Sequence, residues 1–467
     1  MTAAYRLHQA GIAVQVFEAR DRIGGRCWSM RGFEHGQIGE HGGEFIDTRH
    51  VHLRVLADEL GLELDDFYET YLPGQRWLSW VDGEVVRGRD LYEQMDQAIE
   101  RLQEIAVRDG SYFADRAGPE AIEFDQQTMA AWIDANTPAG MDSPFGRLFA
   151  SDQAGWWGLD PDQLSATNLI DYYAVEYPGG DERYTINGGN DQVPSRCLDA
   201  LPAGTVTLEA PLTAIRTSGD RSELRFDGVA DPVVTDRVIL TLPFTTLRDV
   251  DIEDAGFSDR KREAIAELGM GTNAKLLMQF DRPFDTFDDW GGGLRRGGVP
   301  QFGTWDSGST DSKAKQDNGL LTVYSGGRAG ADIPVAAPHA WAPQGVVDPT
   351  LAAIDQAVPD VSEAYNGLAW LDVWAKDPWV HGSYAAFPPG QLTKFWGILG
   401  RSEAAVHFAG EHTSVYSQGF LNGGVESGTR AAGEVLQALG VPLPDGIVRS
   451  HHLARRYEPV YPWEGGG

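Results

Sequence analysis

Several short stretches of this chain pair residue type with spacing in a way that suits binding or redox chemistry. The first is Glu18-Ala19-Arg20-Asp21-Arg22-Ile23-Gly24-Gly25-Arg26, directly after the apolar run Ile12–Phe17. A carboxylate at the C-terminal end of the second strand of a βαβ unit accepts hydrogen bonds from a ribose. Paired glycines admit a bound group close to the backbone, and the planar fork of Arg26 suits a pyrophosphate. A charged turn with two glycines is, by itself, a solvated loop; the ordered series of strand, Glu, Gly-Gly and Arg points to a dinucleotide. A second candidate is Lys275, inside the apolar run Ala274–Phe280. Lysine is seldom buried unpaired, so it either faces outward on a half-exposed strand or has a task. The chain holds only six lysines against 32 arginines, which favours the task.

The elements that must position these residues follow the usual signals. Thr2–Ala10 carries a helical stripe of Ala3, Leu7 and Ala10, stopped by Gly11. Ile12–Phe17 reads as a strand of a parallel sheet. A further helix starts near Asp47-Thr48, with Leu53, Leu56 and Leu60 as its stripe and Gly61 as its end. Helical stretches are expected around 90–108. Short strands are expected at 206–208, 212–215, 223–226, 238–242, 274–280, 320–324 and 405–409. The Gly-, Asp- and Ser-rich stretch 285–348 reads as long loops. A last helix is expected from about Gly423 to Leu439, stopped by Gly440, followed by a loose tail.

Composition sets the outer limits. At about 150 residues per domain, 467 residues imply two or three domains or one interleaved pair. The formal charge of −31 argues against nucleic acid and anionic membrane as partners and mildly favours cationic small molecules. Cys27 and Cys197 are too few for a disulfide framework or a zinc site and read as idle thiols. No apolar run is long enough to span a membrane, and no export signal is legible.

The Glu18–Arg26 stretch strongly resembles the flavin-containing amine oxidase family, which includes monoamine, polyamine and L-amino-acid oxidases. The resemblance continues through Gly39-Glu40-His41-Gly42-Gly43-Glu44-Phe45, Gly188-Gly189-Asn190, Pro211-Leu212, Trp374–Pro378, Gly382-Ser383-Tyr384 and Phe408-Ala409-Gly410-Glu411-His412-Thr413. It extends through Gly419-Phe420-Leu421-Asn422-Gly423-Gly424 to about residue 436.

The resemblance implies an α/β fold in which a Rossmann-like FAD domain is interleaved with an α+β substrate domain. The FAD domain would comprise residues 1–75, 185–262 and 396–440, the substrate domain 76–184 and 263–395, with a tail at 441–467. It also implies FAD as cofactor, contacted by Glu18, Arg20, Gly25, Arg26, Gly42, Gly43, Glu44, Phe45, Leu212, Gly410, Glu411, Gly419 and Leu421. Lys275 would hold a water near the flavin and assist its reaction with oxygen, and Tyr384 with Phe420 would form an aromatic cage. Ser383 stands where animal monoamine oxidases carry the cysteine that bonds the flavin, so the FAD is expected to be non-covalent. Phe45 stands near where L-amino-acid oxidases place an arginine, which favours amines over amino acids. Glu44 is open to two readings, a backbone cap or an anchor for the far ammonium of a diamine.

The implied partners are a small amine and molecular oxygen, with no metal and no nucleic acid or membrane. The oligomeric state stays open, with a homodimer among the options. One departure stands out. The family's first strand and its Gly-x-Gly-x-x-Gly turn have no counterpart, and Met1 falls just after the third glycine. A late-called start or a fragment is the expectation, with a non-catalytic remnant unable to hold FAD as a rival and L-amino-acid oxidation as another. The chain reads as cytoplasmic as it stands, or exported if an upstream signal belongs to it.

Overall fold

A computed structural model describes residues 1–67, 76–86, 88–175, 180–287, 290–307 and 318–464. Its largest element is a mixed eight-stranded sheet. In spatial order the strands are His339–Trp341, Tyr365–Val373, Ala274–Phe280, Gly319–Ser325, Phe302–Asp306, Trp290–Gly297, Arg76–Val81 and Glu84–Val85. All neighbours run antiparallel except Trp290–Gly297 beside Arg76–Val81. Ala274–Phe280 is central and buried at every position. That explains its near-continuous apolar run, because neither face meets water. Leu276, Met278 and Phe280 pack into one core, whereas Leu277 joins Met30, Phe33 and Leu320 on the opposite face.

The stretch expected as long loops is corrected here. Trp290–Gly297, Phe302–Asp306 and His339–Trp341 are strands and Gln344–Asp355 is a helix, while the strand expected at 320–324 is present as Gly319–Ser325. The glycines that looked like loop punctuation serve close packing. A Cβ on Gly293 would lie 2.4 Å from the Trp77 ring, so only glycine lets that ring lie against the strand.

The other half of the molecule carries short parallel pairs. Val16–Phe17 pairs with Val206–Thr207, and Val238–Leu240 pairs with Val406–Phe408. The strand expected over 12–17 is thus paired only at its last two residues. Val16 and Glu18 donate their N–H groups to Thr205 and Thr207, while the preceding Ile12, Ala13 and Val14 line a cavity across which Val238 and Ile239 also stand. Without a second neighbour those residues have no ladder to join.

Helix Thr2–Gln9 ends before Gly11, whose φ of +78° fits the left-handed stop. Its Ala3 and Leu7 pack on Ala432, Val435 and Leu436 of helix Leu421–Ala438. Helix Val51–Glu59 buries Leu53 and Leu56 and is closed by Gly61. The segment after 440 is not a loose tail. Helix Asp445–Ala454 packs against Val51–Glu59 with Ile447 fully buried, and Tyr461 is buried beside Phe113 and Trp396. Both cysteines are free, Cys197 buried and Cys27 half-buried. Among the described residues no helix is long and apolar enough to cross a membrane, and no His/Cys/Asp/Glu cluster suits a metal ion.

Candidate active site

One cavity of about 1980 Å³ joins the two halves of the molecule. Small-ligand pockets usually measure roughly 300–1,000 Å³, so this one has room for a large cofactor and a substrate together. Glu18, Gly25, Leu212, Glu411 and Leu421 border one region, and Lys275, Tyr384 and Phe420 border another. All sixteen residues singled out from the sequence line it.

The first region is built from turns. Glu18 ends the strand Val16–Phe17, and its Oε1 accepts the N–H of Arg20 at 2.9 Å. The backbone at Gly42 approaches so closely that a Cβ there would fall 1.9 Å from the carbonyl oxygen of Arg26; one on Gly43 would fall 2.6 Å from Leu421. Both positions therefore exclude any larger residue. Helix Leu421–Ala438 points its N-terminus at the cavity, with Leu421 and Gly424 on the wall, and its N-cap residue Phe420 makes no side-chain capping bond. Free N–H groups and the positive end of the helix dipole suit an electron-rich ligand edge. Helix Thr2–Gln9 also lacks a side-chain cap, and its first residues border the same space.

The two arginines expected to contact FAD, Arg20 and Arg26, already have carboxylate partners. Arg20 donates to Asp377 at 2.6 Å. Asp377 also binds Nε2 of His339 at 2.8 Å, and Nδ1 of His339 meets Asp372 at 2.7 Å. Burial works against the charge on Asp377, but His339 and Arg20 outweigh it and hold the carboxyl well below its ordinary range. Arg26 donates through Nη1 to Glu411 at 2.8 Å and to the carbonyl of Ser383 at 2.7 Å. Glu411 also accepts the N–H of Gly419 at 2.8 Å. Burial raises Glu411, and the charge of Arg26 with its hydrogen bonds overturns this to leave it below the usual carboxylate value. Arg26 thus ties the Gly24-Gly25 turn to the loop carrying Tyr384 and to the Gly410–Gly419 segment.

The second region centres on Lys275. Its ammonium donates to Glu44 at 2.7 Å and to the carbonyl of Gly42 at 3.2 Å. The Lys275 and Glu44 side chains are each 3% exposed. Glu44 also accepts Trp305 Nε1 at 3.0 Å and Ser307 Oγ at 2.8 Å. Both oxygens of Glu44 are thus engaged by side chains, and none of these bonds is a backbone cap. Phe45 stacks obliquely on Trp305 at 5.7 Å. Ser383 Oγ donates to Asn273 Oδ1 at 2.5 Å. The Tyr384 hydroxyl donates to the carbonyl of Trp156 at 2.6 Å and lies 3.2 Å from the Tyr324 hydroxyl. Desolvation, then the charge of nearby groups including Tyr324, pushes the Tyr384 phenol far up, so it stays neutral. Phe420 lies between His50, at 4.9 Å, and Trp156, at 6.1 Å.

The structure adds residues that the sequence did not single out. Trp156, Trp305, Tyr172 and Tyr324 complete the ring walls, and Asp152, Glu182 and Arg295 bring charge. They come from distant segments with no local signal beyond a high local density of Trp, Asp and Glu.

Turns that admit a ligand to the backbone, an uncapped helix end and an aromatic chamber holding one buried lysine fit a flavin enzyme that oxidises a small molecule. Residues 1–436 match the family described as flavin containing amine oxidoreductase, and the chain belongs to that family. Relatives include amine oxidase [flavin-containing] B of Sus scrofa, 24% identical over 96% of this chain and 86% of that protein. The L-amino acid dehydrogenase of Synechocystis sp. is 26% identical over 94% of this chain and 93% of that protein. The fold matches cyclohexylamine oxidase from Brevibacterium oxydans IH-35A, with a TM-score of 0.79 and 23% identity over 94% of this chain and 96% of the other. It also matches putrescine oxidase bound to putrescine, with a TM-score of 0.77 and 21% identity over 93% and 96%.

Proposed function

We propose that this chain catalyses the FAD-dependent oxidative deamination of a small amine. The observation that carries the reading is the single cavity leading from Glu18 and the Gly24-Gly25 turn to Lys275, Tyr384 and Phe420. FAD would lie non-covalently along residues 1–75, 185–262 and 396–440, since Ser383 offers no thiol. When bound, the flavin would take a hydride from the carbon bearing the amine and pass the electrons to oxygen as hydrogen peroxide. The imine product would hydrolyse to an aldehyde and ammonia.

The protein's own residues bind and desolvate. Rings at 384, 420, 156 and 305 strip water from the amine, which lowers its pKa and favours the neutral form that reacts. Their faces attract the fraction still protonated. The N-terminus of helix Leu421–Ala438 stabilises negative charge that builds up nearby. Lys275, oriented by Glu44, keeps a fixed ammonium at the wall for the oxygen half of the cycle.

L-amino-acid oxidation is a second reading, favoured by Arg295. Its guanidinium borders the cavity and is only loosely tied to Asp152 at 3.7 Å, so it offers a partner for a substrate carboxylate. A panel of primary amines, diamines and neutral L-amino acids tests both, with peroxide release as readout. Turnover of amines alone supports the proposal, and turnover of amino acids alone overturns it.

A further inference from the structure

A row of alternating charges crosses from the large sheet to the turn that carries Arg20. His339 opens the edge strand His339–Trp341 and lies directly opposite Asp372 of strand Tyr365–Val373. Its Nδ1 meets Asp372 at 2.7 Å and its Nε2 meets Asp377 at 2.8 Å. Asp377 takes Arg20 at 2.6 Å, and Asp372 takes Nδ1 of His41 at 3.0 Å and the indole N–H of Trp370 at 3.1 Å. No side chain among Arg20, Asp377, His339, Asp372 and His41 is more than 11% exposed. A neutral imidazole carries one N–H, so between two carboxylates it donates to one and turns a lone pair on the other. Only the imidazolium satisfies both short contacts of His339. Burial, the largest single influence, opposes that charge, but the bonds and charges of Asp372 and Asp377 outweigh it and leave His339 above its ordinary value. His41 goes the other way, because burial outweighs Asp372 and lowers it. With His339 protonated, two cations match two carboxylates. Without that proton the set carries one net negative charge, at the wall that Arg20 shares with Glu18 and Gly25.

We infer that His339 is a positioning residue for the dinucleotide site: as an imidazolium it occupies Asp377 and leaves Arg20 to face a phosphate-bearing cofactor, so that cofactor retention depends on one proton. The inference rests on the flavin part of the proposed function. Asp377 divides its oxygens, Oδ1 taking Arg20 and the Trp379 N–H and Oδ2 taking His339. Arg20 spends one Nη on Asp377, and its other side-chain donors have no partner among the described residues. When the ring loses its proton, Arg20 becomes the one cation left on Asp377, and the guanidinium is drawn from the cavity toward the carboxylate. The uncompensated charge also repels the phosphates directly. The titratable groups facing the ring are Asp372, Asp377 and His41, with Arg20 and Arg22 behind them. A bound dianion favours the protonated ring. Binding therefore takes up a proton, and retention falls as pH rises through the folded-state value of His339.

The test is calorimetric titration of the flavin-depleted protein with FAD from about pH 6 to about pH 9, each point in two buffers of different ionisation enthalpy, so that protons taken up are counted along with affinity. The wild type should bind FAD roughly tenfold more weakly at about pH 9 than at about pH 6, the scale of one unit charge several ångströms away in a partly screened site. It should take up protons as it binds near about pH 8. His339→Gln should flatten both responses. Asp377→Asn should hold FAD more tightly than the wild type at about pH 9, because Arg20 is released to the cavity and the excess charge is gone, whereas a merely structural loss weakens binding. An affinity independent of pH in the wild type, a pH dependence unchanged in His339→Gln, or weaker binding in Asp377→Asn overturns the inference. If neither variant folds, the wild type decides, and binding without proton uptake between about pH 7 and about pH 9 refutes the role. Flat FAD binding followed by bleaching of the flavin with amines would refute the role of His339 and keep the oxidase reading. Proton-linked FAD binding with no bleaching by any amine would do the reverse, and a chain that takes up no FAD at any pH would overturn both.

Discussion

Replacing Lys275 with methionine should do two separable things. The ammonium is paired with Glu44 at 2.7 Å, and both side chains are 3% exposed. Removing one member of such a pair leaves an uncompensated buried charge, which costs about 3–5 kcal/mol. Glu44 would keep its bonds from Trp305 and Ser307, so the lower end of that range, about 3 kcal/mol, is expected. Glu44→Gln in the same chain removes the stranded charge and should restore most of the loss. Urea unfolding followed by tryptophan fluorescence measures this as a double-mutant cycle. The second effect concerns oxygen. Reoxidation of the reduced flavin, followed by stopped flow, should slow by about tenfold or more in Lys275→Met and should stay slow in the double variant, which recovers stability but not charge. If Lys275→Met unfolds like the wild type to within about 0.5 kcal/mol, the pair is not the buried contact described. If reoxidation keeps its rate, the ammonium has no part in the oxygen step.

Tyr384→Ala combined with Phe420→Ala should impair amine oxidation in a protein that still holds its flavin; near-normal turnover would place the ring cage elsewhere. Glu18→Ala should weaken retention of the dinucleotide, read by ultrafiltration of the reconstituted protein, with little change in the turnover of molecules that remain loaded. Acid denaturation should release all the flavin from the polypeptide, because Ser383 offers no thiol to bond it. His339, despite burial, is raised above 6.5 by its bonds to Asp372 and Asp377. A raised folded-state value means that its contribution is complete below about pH 6.5 and is lost as pH rises through the folded value. His339→Gln should therefore cost more stability at about pH 6 than at about pH 9; an equal loss at both would contradict the network.

Much of the cavity wall proposed to hold the cofactor was legible in the sequence because its pattern is local. A strand, a carboxylate, two glycines and an arginine are consecutive, and the fold preserves that order from Val16 to Arg26. Helices with clean stripes and glycine stops, such as Thr2–Gln9 and Leu421–Ala438, were legible for the same reason. The substrate chamber was less so. Trp305 reaches it from a strand in a Gly-rich stretch that looks like loops until the close approach of Trp77 to Gly293 explains the glycines, whereas Tyr324 comes from the strand expected at 320–324. Trp156 and Glu182 arrive from segments with no strong periodicity. The partner of Lys275 was hidden by a separation of 231 residues, as was the engagement of Arg26 by Glu411, 385 residues away. The final helix was missed because its buried Ile447 needs the surface of helix Val51–Glu59 before its stripe means anything.

Anaerobic mixing of the flavin-reconstituted protein with butylamine, 1,4-diaminobutane and a neutral L-amino acid, followed in the visible flavin band, tests the central claim most directly. The account predicts bleaching by an amine, recovery of colour on admitting oxygen, and peroxide in proportion to the amine consumed. A flavin that stays oxidised with every amine while the L-amino acid bleaches it would contradict the account.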